Sequence, residues 1–211
     1  MDVSNHSGLT AARISMAEST IDPEPPQPSD PTEPPEKANY NEMLLEAASD
    51  SDVEKVKSCL AKGADIETKN SRWKATPLYL AVNFDHEEVV EILLEKNANV
   101  DSKDCDGETP LYRAAAVGNE TIVKMLLEHH ADINAKDNDG RTPLYIAVFE
   151  DNNDIVELLL RNGAELGAKD RNGDTELTWA AYRGNAEIAR MLLQKGADVA
   201  VANENGETPF F

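Results

Sequence analysis

Three places in this chain carry residue types that do chemistry when they are correctly spaced. The first is "EHH", where Glu128 precedes His129 and His130 and suggests a pair of metal ligands. A metal needs ligands converging on one point, whereas adjacent residues on a helix project about 100° apart. Cationic side chains at a helix C-terminus are the plainer reading. The second is the pair of stretches "DNDG" and "DRNGD", which have the Asp and Asn content of calcium loops. Each lacks the later glutamate that completes such a loop. The third is the two cysteines, Cys59 and Cys105. They stand too far apart for a disulfide and read as ordinary small side chains. No phosphate-cradling glycine loop, nucleophile elbow or zinc spacing occurs. Catalytic, cofactor-binding and metal-binding roles are not expected.

All of these residues sit inside a repeated frame. "GETPLYRAAAVGN" begins at Gly107 and "GRTPLYIAVFEDN" at Gly140. Thr76, Thr109, Thr142, Thr175 and Thr208 keep a spacing of 33, as do Gly107, Gly140, Gly173 and Gly206, and Leu94, Leu127, Leu160 and Leu193. A period of that size means a stacked array rather than one closed core. Within Asp104 to Lys136, "DCDGE" is a polar turn around Gly107, where the absent Cβ permits positive φ. Thr109 is placed to cap a helix, and Pro110 suits its first turn. "LYRAAAVG" reads as a short first helix ended by Gly118. "ETIVKMLLEHH" reads as a second helix with Ile122, Val123, Leu126 and Leu127 on one stripe. Neither helix can hide its apolar face within its own unit, so the next unit must cover it.

Composition restricts the partners. The net charge of −20 argues against nucleic acid and anionic membrane surfaces. No apolar stretch approaches the roughly 18 residues that span a bilayer, so membrane insertion is not expected. The first residues lack the pattern of a signal peptide. With only two cysteines, an intracellular location, cytoplasmic or nuclear, is expected. Residues 1–38 differ in kind. "IDPEPPQPSDPTEPPEK" holds seven of the eleven prolines and predicts a disordered, acidic, extended arm. Its spaced prolines Pro23, Pro26, Pro28 and Pro31 suit either docking to a polyproline reader or a solvated spacer. Met16 is a possible alternative start.

The unit pattern resembles the ankyrin repeat, whose pattern is a turn with Asp and Gly, then Thr-Pro-Leu-His-x-Ala-Ala, a Gly, an Ile-Val, a Leu-Leu and Gly-Ala-Asp-Val-Asn. The resemblance covers residues 39–211. It implies an all-α solenoid of helix-turn-helix units with β-turn or hairpin linkers. A capping unit spans 39–70, four whole repeats span 71–202, and a truncated repeat spans 203–211. Tyr79, Tyr112 and Tyr145 stand where the family usually has a His that ties neighbouring turns together. Asn97 and His130 replace the Gly after the second helix, and Glu176 replaces Pro. Lys74 replaces the turn glycine, and the linker before Thr76 is one residue longer. That first junction is therefore expected to be the least regular. His86 is structural by resemblance.

The resemblance also implies a concave binding face made from turn tips and first helices. Carried onto this sequence, that face takes Arg72, Trp73, Phe84, Arg141, Phe149, Glu150, Arg171, Tyr182 and Arg183. Residues 39–211 hold 18 basic and 33 acidic side chains, yet the whole concave set, which adds Lys103, Lys136, Lys169, Asp106, Glu108, Asp139 and Asp174 to these residues, holds seven basic and five acidic. Aromatic residues and arginines dominate interface energies. The expectation is a non-catalytic module that binds an acidic-apolar segment of a protein or peptide. Lys103, Lys136 and Lys169 belong to the common linker and fit solvation or pairing with nearby acids equally well. Asn134, with Leu126 eight residues earlier, resembles a target of asparaginyl hydroxylases, and also fits a turn-stabilising Asn.

Two alternatives stand beside this expectation. The chain reads as a targeting fragment of a longer protein whose effector domain lies beyond Phe211. It also reads as an inhibitor that masks a basic surface with Glu87, Glu88, Glu91 and Glu95. "NENGETPFF" opens a new unit and leaves the stripe of Ile188, Leu192 and Leu193 without a full cover. A longer array, a plug made by Phe210 and Phe211, or another molecule would each supply one. A monomer is expected unless that face pairs.

Overall fold

The structure, a computed structural model, describes residues 35–209, with side chains from Asn39 onward. Ten helices follow in pairs. They are α1 (Pro35–Ser49) with α2 (Val53–Ala61), α3 (Pro77–Asn83) with α4 (Glu87–Glu95), and α5 (Pro110–Val117) with α6 (Glu120–Glu128). Then come α7 (Pro143–Phe149) with α8 (Asn153–Arg161), and α9 (Glu176–Arg183) with α10 (Ala186–Gln194). Among the described residues there is no strand, so the linkers are turns without hairpin strands. α1 begins at Pro35, earlier than the boundary expected at residue 39, because a proline fits the first turn of a helix. Most of the expected arm, with its spaced prolines and Met16, lies outside the described residues, as do Phe210 and Phe211.

The repeated threonines do what their spacing predicts. Thr76, Thr109, Thr142 and Thr175 are the N-caps of α3, α5, α7 and α9, and each hydroxyl accepts the backbone N–H three residues on. Proline follows in the first three; in α9 the first position is Glu176. Gly118 and Gly184 end α5 and α9 in the left-handed conformation. At the matching positions, Asp85 and Asp151 adopt φ of 65° and 66°. After the second helices, Asn97 and His130 take φ of 60° and 64° in place of the usual glycine.

Packing runs between neighbours. The first helices α1, α3, α5, α7 and α9 form one row, and the second helices α2, α4, α6, α8 and α10 form another. Leu78, Leu111, Leu144 and Leu177 recur at one register and are all buried. Val90, Val123 and Val156 recur at another and are completely buried. A core that is continuous from unit to unit, rather than closed within each, is what neighbour-only stacking requires.

The tyrosines standing in the histidine column tie the units together by reaching forward. Tyr79 donates to Glu108 at 2.7 Å, and Tyr145 donates to Asp170 at 3.0 Å. Tyr112 is set between Asp137 and Arg141. A second set of ties runs backward. His86 hydrogen-bonds the Ser49 carbonyl at 2.8 Å, Asn152 donates to the Ala115 carbonyl at 2.9 Å, and Asn185 donates to Asp151 at 2.6 Å.

The first junction is irregular, as expected. Asn70 takes the role that Asp104 has one unit later, its side chain accepting the N–H groups of Trp73 and Ala75 across one extra residue. Lys74 sits there at φ 55°. The turn still joins the next one, with Cys105 N–H donating to the Trp73 carbonyl at 2.8 Å.

Candidate functional site

The residues considered first for chemistry have structural places. His129 caps α6, its ring nitrogen bonding the Met125 carbonyl at 2.9 Å, while His130 occupies the left-handed position after it. Cys59 is buried and Cys105 exposed, and both are free thiols. In "DNDG" and "DRNGD", Asp137 and Asp170 turn their carboxylates onto the N–H groups of their own turns, at 2.8–2.9 Å. Those oxygens hold the turn in shape.

The surface formed by the turns and the ends of the first helices gathers most of the expected site residues. Phe149 ends α7, and Trp179 packs against it edge-on with ring centroids 4.7 Å apart. Tyr182, 52% exposed, also packs against Trp179 in a T-shaped contact with ring centroids 5.8 Å apart. The Arg183 guanidinium lies 4.9 Å from the centroid of the Phe149 ring. Helical spacing explains the grouping, because residues three and four apart share a face. Trp179, Tyr182 and Arg183 therefore line up on α9 and meet Phe149 across the unit boundary.

Trp179 was absent from the expected set. Its column runs Leu80, Arg113, Ile146, Trp179. The variability of that column, with tryptophan at its end, is the signal that could have found it. The Trp179 indole nitrogen is buried without a well-formed hydrogen bond. The acceptor within its reach is the Tyr145 hydroxyl oxygen, whose own proton goes to Asp170.

The fifth unit solves its forward tie differently. Thr178 occupies the tyrosine column and closes a capping box with Thr175. Tyr182, one turn further on, reaches forward instead and donates to Glu207 at 2.8 Å. That bond, with some burial, pushes the Tyr182 phenol up to about 12.

The other expected residues are less closely joined. Arg72 lies over the Trp73 ring at 4.7 Å in the first irregular turn. Phe84 is 45% exposed and stacks on His86 with centroids 6.2 Å apart. Arg141 donates to Asp137 at 2.7 Å and pairs with Asp139 at 3.3 Å. Arg171 pairs with the other oxygen of Asp139. Glu150 is half-buried at the end of α7. The linker lysines are partly spent on structure, since Lys69 donates to the Lys103 carbonyl and Lys103 to the Lys136 carbonyl. Asn134 Oδ1 accepts the Glu165 N–H at 2.9 Å, just as Asp101 accepts from Asp132 one unit earlier.

Buried acids hold the frame beneath this surface. Burial pushes the Glu108 carboxyl up, and the Tyr79 hydroxyl and Arg113 oppose that shift. Glu176 is 2% exposed and accepts the N–H groups of Gly167 and Ala168 at 2.9 and 3.1 Å. Burial raises its carboxyl too, against those two bonds.

Stacked helix pairs, each bound chiefly to its neighbours and carrying a variable aromatic and charged surface on one side, define a repeat protein of the solenoid class. A family model described as ankyrin repeats (3 copies) matches residues 44–137 and 129–203. The chain belongs to the ankyrin repeat family, whose members generally serve as protein–protein interaction modules and are typically non-enzymatic. No curated protein matches it. No helix among the described residues is long and apolar enough to cross a membrane.

Proposed function

We propose that this chain is a non-catalytic interaction module that takes a segment of a protein or peptide on the face carrying Phe149, Trp179, Tyr182 and Arg183. One observation carries the reading: three aromatic rings from two adjacent units form a single edge-to-face cluster, and its outer member, Tyr182, is half exposed. Large apolar side chains left open to water beside a cation are the composition of an interface centre. The framework threonines and leucines hold these rings in place without using their outer surfaces. Arg141 and Arg171 add to this face within the same two units, and Phe84, Arg72 and Trp73 extend it toward an earlier one.

The experiment replaces Phe149 and Tyr182 together by Ala and measures capture of cross-linked partners by the native and altered chains. Circular dichroism and thermal unfolding show that the array persists. Loss of capture with the helices intact supports the reading. Undiminished capture rejects it.

A further inference from the structure

The arginines on this face differ in whether their charge is still available. Arg141 is held by Asp137 and Asp139, and Arg171 by Asp139. Arg72 and Arg183 are exposed and have no carboxylate partner among the described residues. Each instead lies over an aromatic ring, Arg72 over Trp73 at 4.7 Å and Arg183 over Phe149 at 4.9 Å. An aromatic face holds a cation through its quadrupole without neutralising it. The guanidinium is thereby oriented in advance, and its donor fork stays open to a carboxylate.

We propose that Arg72 on Trp73 and Arg183 on Phe149 are two carboxylate receptors for one acidic peptide segment, each seating an Asp or Glu side chain beside an apolar residue. The proposal rests on the reading that a peptide occupies this face. It deepens that reading by assigning the charge recognition to two residues and withdrawing it from Arg141 and Arg171.

Charge complementarity selects the occupant. A basic segment would meet Arg72 and Arg183 as like charges and would find the exposed Glu87, Glu88, Glu91 and Glu95 of α4 instead. An uncharged apolar segment would cover the aromatic rings while leaving the guanidinium donors without partners, which is costly. An acidic segment with apolar neighbours satisfies both the ring and the fork. The net charge of −20 gives such a segment no attraction at a distance, so its recognition must come from these two local contacts.

The test selects a random dodecapeptide library displayed on phage against the full chain. Enriched peptides should carry Asp or Glu next to apolar residues. Selection on the Arg72→Glu, Arg183→Glu double variant should exchange those acids for Lys or Arg. One enriched peptide is then synthesised together with a version bearing Gln and Asn for its acids, which should bind about tenfold more weakly. The chain has two tryptophans, Trp73 and Trp179, so each site has its own fluorophore. In Trp73→Phe, the peptide should shift Trp179 emission, and adding Arg183→Glu should abolish that shift. A neutral or basic consensus, or one unchanged by the charge reversals, overturns the receptor proposal. In that case, loss of the peptides by Phe149→Ala, Tyr182→Ala would leave the interaction face standing. Retention of the peptides by that variant would reject the face and the receptors together.

Discussion

Tyr79 and Glu108 lie 29 residues apart and meet at 2.7 Å, the hydroxyl of one unit donating to a carboxylate in the turn of the next. The longer reach of tyrosine explains how this chain dispenses with the histidine usual in its family. The phenol spans the gap to an acid that the following turn supplies. Tyr145 with Asp170 repeats the arrangement, and Tyr182 with Glu207 recovers it from a different helix position after Thr178 has lost the ring.

Removing the Tyr79 hydroxyl should destabilise the array out of proportion to the single atom lost. The Glu108 side chain is 15% exposed, so its carboxylate finds little water in place of the bond. Hydrogen bonds to charged groups contribute roughly 1.5–3 kcal/mol, and Tyr79→Phe should cost about that in urea unfolding. Tyr182→Phe removes a bond at the exposed end and should cost well under about 1 kcal/mol. Equal losses at both positions would mean that burial does not set the strength of these ties.

Glu176 supplies a pH signature. Its folded carboxyl is raised above the ordinary value, so the folded state holds the proton more tightly than the unfolded chain does. The stabilising contribution of that proton is complete below the unfolded value of about 4.3 and is lost as pH rises through the folded one. Glu176→Gln is neutral at every pH and escapes this loss. The deficit of Glu176→Gln relative to the native chain should therefore be largest near pH 4 and shrink toward pH 7. Glu176→Ala leaves the Gly167 and Ala168 N–H groups unpaired, which should cost about 2 kcal/mol or more and speed amide exchange at those two residues. A Glu176→Gln deficit that grows with pH would reverse the assigned direction.

The helix pairs, their caps and their order were legible in the sequence because each rests on local chemistry repeated in register. Thr before Pro caps a helix wherever it occurs, and a period of 33 leaves little freedom in how the units stack. The aromatic cluster was only half legible. Phe149 and Tyr182 were readable as variable positions with large rings, but Trp179 stands in a column where Leu80 and Ile146 are nearly buried. That column reads as core, whereas Trp179 is only partly buried. The pairing of the arginines could not be read from the sequence. Composition counts charges without saying which are already paired, and Asp139 joins both Arg141 and Arg171 only once the turns are brought side by side. The tyrosine ties were invisible for the same reason, since both partners belong to different units.

Two glycines with the same backbone conformation should respond differently to Ala. Gly140 and Gly163 have φ of 84° and 87°. A methyl group on Gly163 would meet nothing within 4 Å, whereas one on Gly140 would stand 2.5 Å from the carbonyl oxygen of Lys169, where the chain enters the next turn. Gly163→Ala should lose about 1–2 kcal/mol, the cost of a side chain in the left-handed region. Gly140→Ala should lose more, because the backbone at Lys169 must also move away from the turn. Chemical denaturation of the two variants decides it, and matching losses would show that the close approach at Gly140 is relieved without cost.

Leu160 and Leu193 hold the same register one unit apart, but Leu160 is 5% exposed and Leu193 is 39% exposed. Leu160 is covered by the fifth unit, while Leu193 lines an open groove with Leu177, Ala180, Ala189 and Pro209. If each unit is stabilised chiefly by its neighbours, the two leucines should differ in both the size and the reach of their effects. Leu160→Ala opens a space at an interface covered from both sides and should cost about 2–5 kcal/mol. Leu193→Ala removes a side chain already partly in water and should cost under about 1 kcal/mol. Hydrogen exchange separates the reach. Leu160→Ala should speed exchange in α7 and α8 and also in α9 and α10, because the fifth unit loses the surface on which it rests. Leu193→Ala should affect α9 and α10 alone. Exchange that rises evenly over all ten helices in both variants would show a single cooperative core and would contradict stacking by nearest neighbours.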